Sequence, residues 1–226
     1  MNAGKLYIVA TPIGNYRDIS LRALDVLKKA DVVVCEEYRQ GSTLLKKIGV
    51  GKKELLLLNE HTSAETIPSI MASLLEGKCF ALVSDCGTPV FADPGADLLR
   101  EAYAYQIPVI PVPGPSSLMG VISLSPIPMD TFYFCGFLPR KKEIRKDRLA
   151  ALKRYRDPII LMDTPYRLAR LLEEVMQVFG KNRTILLAVD MTLPGEKIFF
   201  DQAGIVYDQV KNRKSEFMLI VYPFQR

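Results

Sequence analysis

Three short stretches of this chain put carboxylates or hydroxyls next to glycine and proline directly after an apolar run. They are Ser84-Asp85-Cys86-Gly87-Thr88-Pro89-Val90-Phe91-Ala92-Asp93-Pro94-Gly95, Pro113-Gly114-Pro115-Ser116-Ser117 and Thr11-Pro12-Ile13-Gly14-Asn15. Glycine lets a backbone approach a ligand closely. Proline stiffens the turn beforehand and so lowers the ordering cost of binding. Asp85 and Asp93 can hold hydroxyls or a cation, and Ser84, Thr88, Ser116 and Ser117 add hydroxyls. These residue types suit a zwitterionic or nucleoside-like ligand. Asp93 also has the plainer reading of a cap for a helix starting at Pro94. A fourth stretch, Glu36-Glu37-Tyr38-Arg39, brings two carboxylates that can accept a proton or orient an acceptor, with one of them paired to Arg39. The one histidine, His61 in "NEHTSAE", reads either as a base or as a surface or capping residue.

Other chemistries are not indicated. No GxGxxG follows the first apolar run and no GxxxxGK[ST] occurs, so neither a dinucleotide fingerprint nor a P-loop is present. The four cysteines, Cys35, Cys79, Cys86 and Cys135, form no CxxC pair. The spacing therefore carries no zinc signature and no metal is expected. Three of them sit in apolar runs as reduced core residues, and Cys86 fills a tight turn. The 226 residues are 49% hydrophobic and 24% charged, which fits a globular chain. No apolar run approaches the roughly 20 residues of a spanning helix. No signal peptide is read, so the expected location is cytoplasmic. The net charge of +5 permits an acidic partner.

The elements that must position these loops alternate regularly. Lys5–Ala10, Asp31–Cys35, Leu55–Leu58, Cys79–Ser84 and Pro108–Val112 read as strands. Ser20–Ala30, Ser42–Ile48, Ala64–Glu76 and Ala96–Tyr105 read as helices, the first with Ser20 as its cap. Strand–helix alternation predicts a parallel sheet with covering helices, whose ligands bind beyond the carboxyl ends of the strands. The second half is more β-prone. "TFYFCGFLP", "PIILMD", "TILLAVDM", "EKIFFD" and "EFMLIVYPF" read as strands, with a charged helix after Pro139, a helix over Pro165–Phe179 and another before the last strand. The expected division is 1–113 and 114–226, both α/β.

Taken in order, "LYIVATPIGN", "DISLRALDVLKKAD", "ALVSDCGTPVFADPG", "IPVIPVPGPSSL", "FCGFLPRK" and "TPYRL" resemble the tetrapyrrole-methylase superfamily of S-adenosylmethionine-dependent methyltransferases. Within it they are most similar to bacterial small-subunit ribosomal-RNA cytidine 2′-O-methyltransferases. The resemblance runs from Lys5 to about Tyr222. It implies a two-domain α/β fold, with a parallel-sheet N-terminal domain, a mixed-sheet C-terminal domain, S-adenosyl-L-methionine in the cleft between them, and a homodimer. It also implies that Asp85, Gly87, Thr88, Phe91 and Ala92 line the cofactor loop. Ser116 and Ser117 fall on the inter-domain turn, and Leu138, Met162 and Ala188 where the second domain closes over the cofactor. Where the ribosomal-RNA enzymes read "AEDTRHT" this chain has "CEEYRQG". Glu37 takes the place of their Asp, which ranks it first as a catalytic carboxylate, beside His61. Asn59 stands where they have a first histidine, and Arg39 and Arg167 are retained. Those enzymes commonly continue beyond the point where this chain stops.

An RNA acceptor calls for a basic surface. "RKKEIRKDRLAALKRYR" offers Arg140, Lys141, Lys142, Arg145, Lys146, Arg148, Lys153, Arg154 and Arg156 against Glu143 and Asp147. Arg39, Arg140, Lys141 and Lys142 are the expected substrate contacts, with ribosomal RNA or the small ribosomal subunit as partner and no membrane. A tetrapyrrole or other small acceptor, and a cofactor-binding module without catalysis, are the alternatives.

Overall fold

A computed structural model describes residues 3–91 and 94–223. The chain divides into two compact units, Met1–Ser116 and Ser117–Arg226. In the first unit the order is β1 (Leu6–Val9), α1 (Leu21–Lys29), β2 (Val32–Cys35), α2 (Tyr38–Lys47), β3 (Glu54–Leu57), α3 (Ser63–Leu75), β4 (Phe80–Val83), α4 (Ala96–Ala104) and β5 (Val109–Val112). All its strand pairs are parallel, in the order β3-β2-β4-β1-β5.

Strand side chains alternate between faces, and both faces here are apolar. Leu6, Val32, Val34, Phe80 and Leu82 pack under Ile70, Leu74, Leu98 and Ala102 of α3 and α4. Val9, Val33, Cys35, Ala81 and Val83 pack under Ala23, Leu27, Leu44 and Leu45 of α1 and α2. The near-continuous apolar runs seen in the sequence are what a strand covered on both sides requires. Parallel pairing puts the exits of all five strands on one edge. The Ser20 hydroxyl caps α1 by accepting from the Ala23 N–H at 3.1 Å.

The second unit runs α5 (Ser117–Ser123), β6 (Tyr133–Phe137), α6 (Lys142–Ala151), β7 (Ile159–Asp163), α7 (Leu168–Phe179), β8 (Thr184–Val189), β9 (Lys197–Gln202), α8 (Ala203–Val210) and β10 (Phe217–Val221). Its sheet is mixed, in the order β6-β7-β10-β8-β9, with β6 parallel to β7 and the other neighbours antiparallel. One face packs on α6, α7 and α8 through Leu149, Leu171, Leu172, Val175 and Val206. The other packs on α5 through Val121.

Three local expectations are corrected. Helix α2 starts at Tyr38, four residues before the Ser42 expected from the sequence, and passes through Gly41. Glycine is a poor helix residue, but a Cβ at Gly41 would sit 2.7 Å from Cys35 Sγ, so close packing on β2 outweighs propensity. The helix expected over Pro165–Phe179 opens as a 3-10 turn, Pro165–Arg167, before α7. Helix α5 was not anticipated at all, because its seven residues are too few to display a period.

Candidate active site

The exit of β4 is held by its neighbour β1. The Thr11 hydroxyl donates to the Ser84 carbonyl at 2.9 Å, and the Thr11 N–H donates to the Gly87 carbonyl at 2.8 Å. Thr11 itself is buried. Within the loop the Cys86 N–H donates to the Ser84 hydroxyl oxygen at 3.1 Å, and the Cys86 thiol lies 3.5 Å from the Ile13 carbonyl. Gly87 has φ +83°, and a Cβ there would stand 3.3 Å from Ile13 Cγ2. The loop after β5 joins on the far side of β1. Gly114 lies against Ala10, with room for a Cβ only 3.2 Å away, and the Thr88 hydroxyl donates to the Pro115 carbonyl at 3.5 Å. The order β4-β1-β5 makes these three loops neighbours, joined by their own hydrogen bonds.

Further along, Val90 adopts φ +67°, a conformation a β-branched residue rarely takes. Gly95 follows at φ +136°, where a Cβ would come within 2.9 Å of Leu82 Cδ2 and 3.2 Å of Val90 Cγ2. Gly95 lies so close to Leu82 and Val90 that no side chain fits there. Asp85, Thr88 and Phe91 are exposed on the rim, and Ser116 and Ser117 are half-buried. Ala92 lies outside the described residues, as does Asp93 with its expected capping role.

On the other side of β4 lies the exit of β2. Burial, and secondarily the charge of Asp85, push the Cys35 thiol up to about 11, which ties the Asp85 loop to the end of β2. Glu37 holds the cap position of α2 without capping it, and its side chain is exposed. Tyr38 is exposed and Arg39 beside it is too. The ion pair expected between Arg39 and a neighbouring glutamate is not formed, and among the described residues Arg39 has no ion pair. Both glutamates precede the first residue of α2, Tyr38, whereas Arg39 lies within the helix. His61 is exposed in the turn after β3, where the Asn59 carboxamide oxygen accepts from the N–H groups of His61 and Thr62 at 3.0 and 3.1 Å. Asn59 thus closes the turn that leads into α3, whose cap position is Thr62. Neighbouring strands lie about 4.8 Å apart, so the exit of β2 is one strand from the β4 loop and that of β3 is two. Glu37 is therefore nearer to Asp85 along the rim than His61 is.

In the second unit β6, β7 and β8 run in the same direction, so Leu138, Met162 and Ala188 all stand at the carboxyl end of its sheet. Met162 and Ala188 flank Met218 directly in register. Met162 is half-buried, while Leu138 and Ala188 are buried. Arg140, Lys141 and Lys142 are exposed at the same end, between β6 and α6.

The basic run does not form one surface, contrary to expectation. Arg145 is 1% exposed. Its Nη1 meets Asp163 Oδ2 at 2.7 Å and its Nε meets Glu174 Oε2 at 2.5 Å. Burial works against its charge, but the hydrogen bonds to Glu174 and Asp163 outweigh that and hold its pKa above the ordinary value. Arg170 Nε reaches the other oxygen of Glu174 at 3.0 Å. Arg148 donates to the Tyr133 hydroxyl at 2.7 Å. Arg154 lies 5.1 Å over the Tyr155 ring, which stacks on Tyr133 at 3.9 Å. Tyr133 begins β6, so this cluster sits at the opposite end of the sheet from Arg140. Charge counting cannot tell an inward arginine from an outward one. The clue lay in helical spacing, since Arg145 shares a face with Leu149.

Residues 5–205 match the family described as Tetrapyrrole (Corrin/Porphyrin) Methylases, and the chain belongs to that family. Among its relatives is the Ribosomal RNA small subunit methyltransferase I of Escherichia coli O157:H7, 38% identical over 222 residues, which are 96% of this chain and 77% of that one. The protein of the same name from Thermotoga maritima is 41% identical over 211 residues, 93% of this chain and 94% of its own. The fold matches a cobalt precorrin-4 methyltransferase with TM-score 0.70 at 20% identity, covering 96% and 94% of the two chains. It also matches the uroporphyrin-III-C-methyltransferase of Thermus thermophilus with TM-score 0.66 at 22% identity, covering 97% and 94%.

Proposed function

We propose that the protein transfers a methyl group from S-adenosyl-L-methionine to small-subunit ribosomal RNA, at the 2′-hydroxyl of a cytidine. The observation that carries the reading is the β4 loop, pinned by Thr11 and carrying Gly87 at positive φ on the rim of a parallel sheet. Relatives named for ribosomal RNA, 38% and 41% identical, supply the acceptor class. The residues suit the cofactor. The Asp85 carboxylate can accept from ribose hydroxyls or an ammonium, Gly87 gives the loop the positive φ that turns it over the end of β4, and Phe91 offers an apolar ring face. Thr88, Ser116 and Ser117 add hydroxyls on the neighbouring turns. Ala92 belongs to the same proposed set, and Leu138, Met162 and Ala188 are its members in the second unit.

When bound, S-adenosylmethionine supplies a methyl group already activated on a sulfonium. What remains for the chain is alignment and exclusion of water. Glu37 would take the proton that the acceptor hydroxyl gives up on methylation, and His61 is the second candidate for that role. Arg39, Arg140, Lys141 and Lys142 contact RNA phosphates.

Calorimetry with S-adenosylmethionine tests the donor, with micromolar binding expected and no heat of binding refuting it. Ribose-methylation mapping of small-subunit RNA from cells with and without this protein tests the acceptor. One 2′-O-methyl cytidine should vanish in its absence, and an unchanged map refutes RNA as substrate. Glu37→Gln should lower kcat with little change in cofactor affinity.

A further inference from the structure

At the exit of β7 the chain makes a turn that leaves one aromatic ring in water. Asp163 ends the strand with its carboxylate buried. Its Oδ2 takes Arg145 Nη1, and its Oδ1 accepts from the Thr164 N–H at 2.8 Å and faces Arg167 Nη1 at 3.6 Å. Pro165 fixes the next φ, and the Arg167 N–H closes the 3-10 turn on the Thr164 carbonyl at 2.9 Å. The turn is thus stiff. It holds up Tyr166, 79% exposed and the most exposed aromatic side chain among the described residues. The ammonium of Lys214 stands 5.6 Å from the Tyr166 ring centroid, and Arg167 adds a second cation, its side chain 29% exposed. Leu168, the next residue, makes the contact with the core.

An exposed ring on a stiff turn, with Lys214 over one face and Arg167 next to it in the chain, matches one kind of partner. Unstacked RNA bases lie on aromatic faces, and the attached phosphates take lysine and arginine. The turn also lies at the carboxyl end of β7, the sheet edge that carries Met162 and Arg140. We propose that Tyr166, with Lys214 and Arg167, forms a stacking platform for a nucleobase of the acceptor RNA. The proposal rests on RNA being the acceptor. Stacking uses the ring face and not the hydroxyl, while the two cations steer the phosphate.

The experiment compares Tyr166→Ala and Tyr166→Phe with the parent protein. Methyl transfer to small-subunit RNA is measured, together with anisotropy of a fluorescent single-stranded RNA spanning the methylated site. Tyr166→Ala should weaken RNA binding and raise the RNA KM about ten-fold or more, within the range for loss of one stacked base. Tyr166→Phe should stay within about two-fold by the same reasoning. Cofactor affinity and melting temperature should be unchanged in both. Equal RNA affinity for Tyr166→Ala and the parent overturns the platform, as does a Tyr166→Phe protein as weak as Tyr166→Ala. Failure of the functional reading is separate, since it appears as an unchanged methylation map in the parent comparison. The anisotropy arm still decides on the platform in that case, and a parent protein that binds no RNA overturns it.

Discussion

Arg145→Met offers a direct measure of the buried ion network. Methionine keeps the apolar stem of the arginine and removes the guanidinium. Asp163 Oδ2 then loses its 2.7 Å partner in a site where the carboxylate side chain is 1% exposed. Its Oδ1 keeps the Thr164 N–H and the distant Arg167. Glu174 loses its Nε contact but retains Arg170, and at 20% exposure it can recruit water. One buried carboxylate therefore remains with its nearest cation gone and only the distant Arg167 to balance it. Breaking a buried pair in this way costs about 3–5 kcal/mol, and the surviving Asp163 contacts favour the lower end. With a urea dependence of about 2 kcal/mol per molar, a loss of ~3 kcal/mol moves the midpoint of the second unit down by roughly 1.5 M. The assay is urea unfolding followed by far-UV circular dichroism and by hydrogen exchange of amides in β7 and β10. Adding Asp163→Asn to Arg145→Met removes the stranded charge while keeping an acceptor for Thr164, so it should recover at least half of the loss. In the parent background the same Asp163→Asn should destabilise. That opposite sign is the signature of coupling. A loss below about 1 kcal/mol for Arg145→Met, or strictly additive substitutions, would refute the claim that Asp163 depends on Arg145.

Gly87→Ala must place a methyl group 3.3 Å from Ile13 Cγ2 at φ +83°. It should cost about 1–2 kcal/mol of stability and weaken S-adenosylmethionine binding at least several-fold, as read by calorimetry. Asn59→Ala removes the acceptor for two N–H groups and should lower stability by about 1 kcal/mol, measured by thermal melting. Alkylation should separate the cysteines. At pH 8 iodoacetamide should modify exposed Cys86 and spare buried Cys35, whose thiol stays protonated to about 11, and peptide mass spectrometry reads the outcome. The same shift links stability to pH. The fold binds the Cys35 proton more tightly than the unfolded chain does, so this contribution is full below about 9 and is lost as pH rises toward 11.

Much of the first unit was legible because strand and helix leave different periods in a chain. Apolar runs such as Val32–Cys35 have one solution when helices cover both faces, and Ser20 before an amphipathic stretch marks a helix start. The gathering of the loops followed from parallel pairing alone. The start of α2 was not legible, because Gly41 reads as a breaker until the sulfur of Cys35 is seen against it. Nor was the role of Asn59, which looked like a lost histidine and closes the turn before α3.

The sequence by itself determined the alternation of elements, the family motifs and the composition of the rim loops, since these depend on residue type and near-neighbour spacing. Which charges face inward was decided only by tertiary structure. Arg145 and Arg140 are alike as residues and five positions apart. One is buried between two carboxylates brought from β7 and α7, and the other is left in water. The partners that make the difference, Asp163 and Glu174, lie 18 and 29 positions along the chain from Arg145. Only the packing of α6 and α7 over the sheet brings them together.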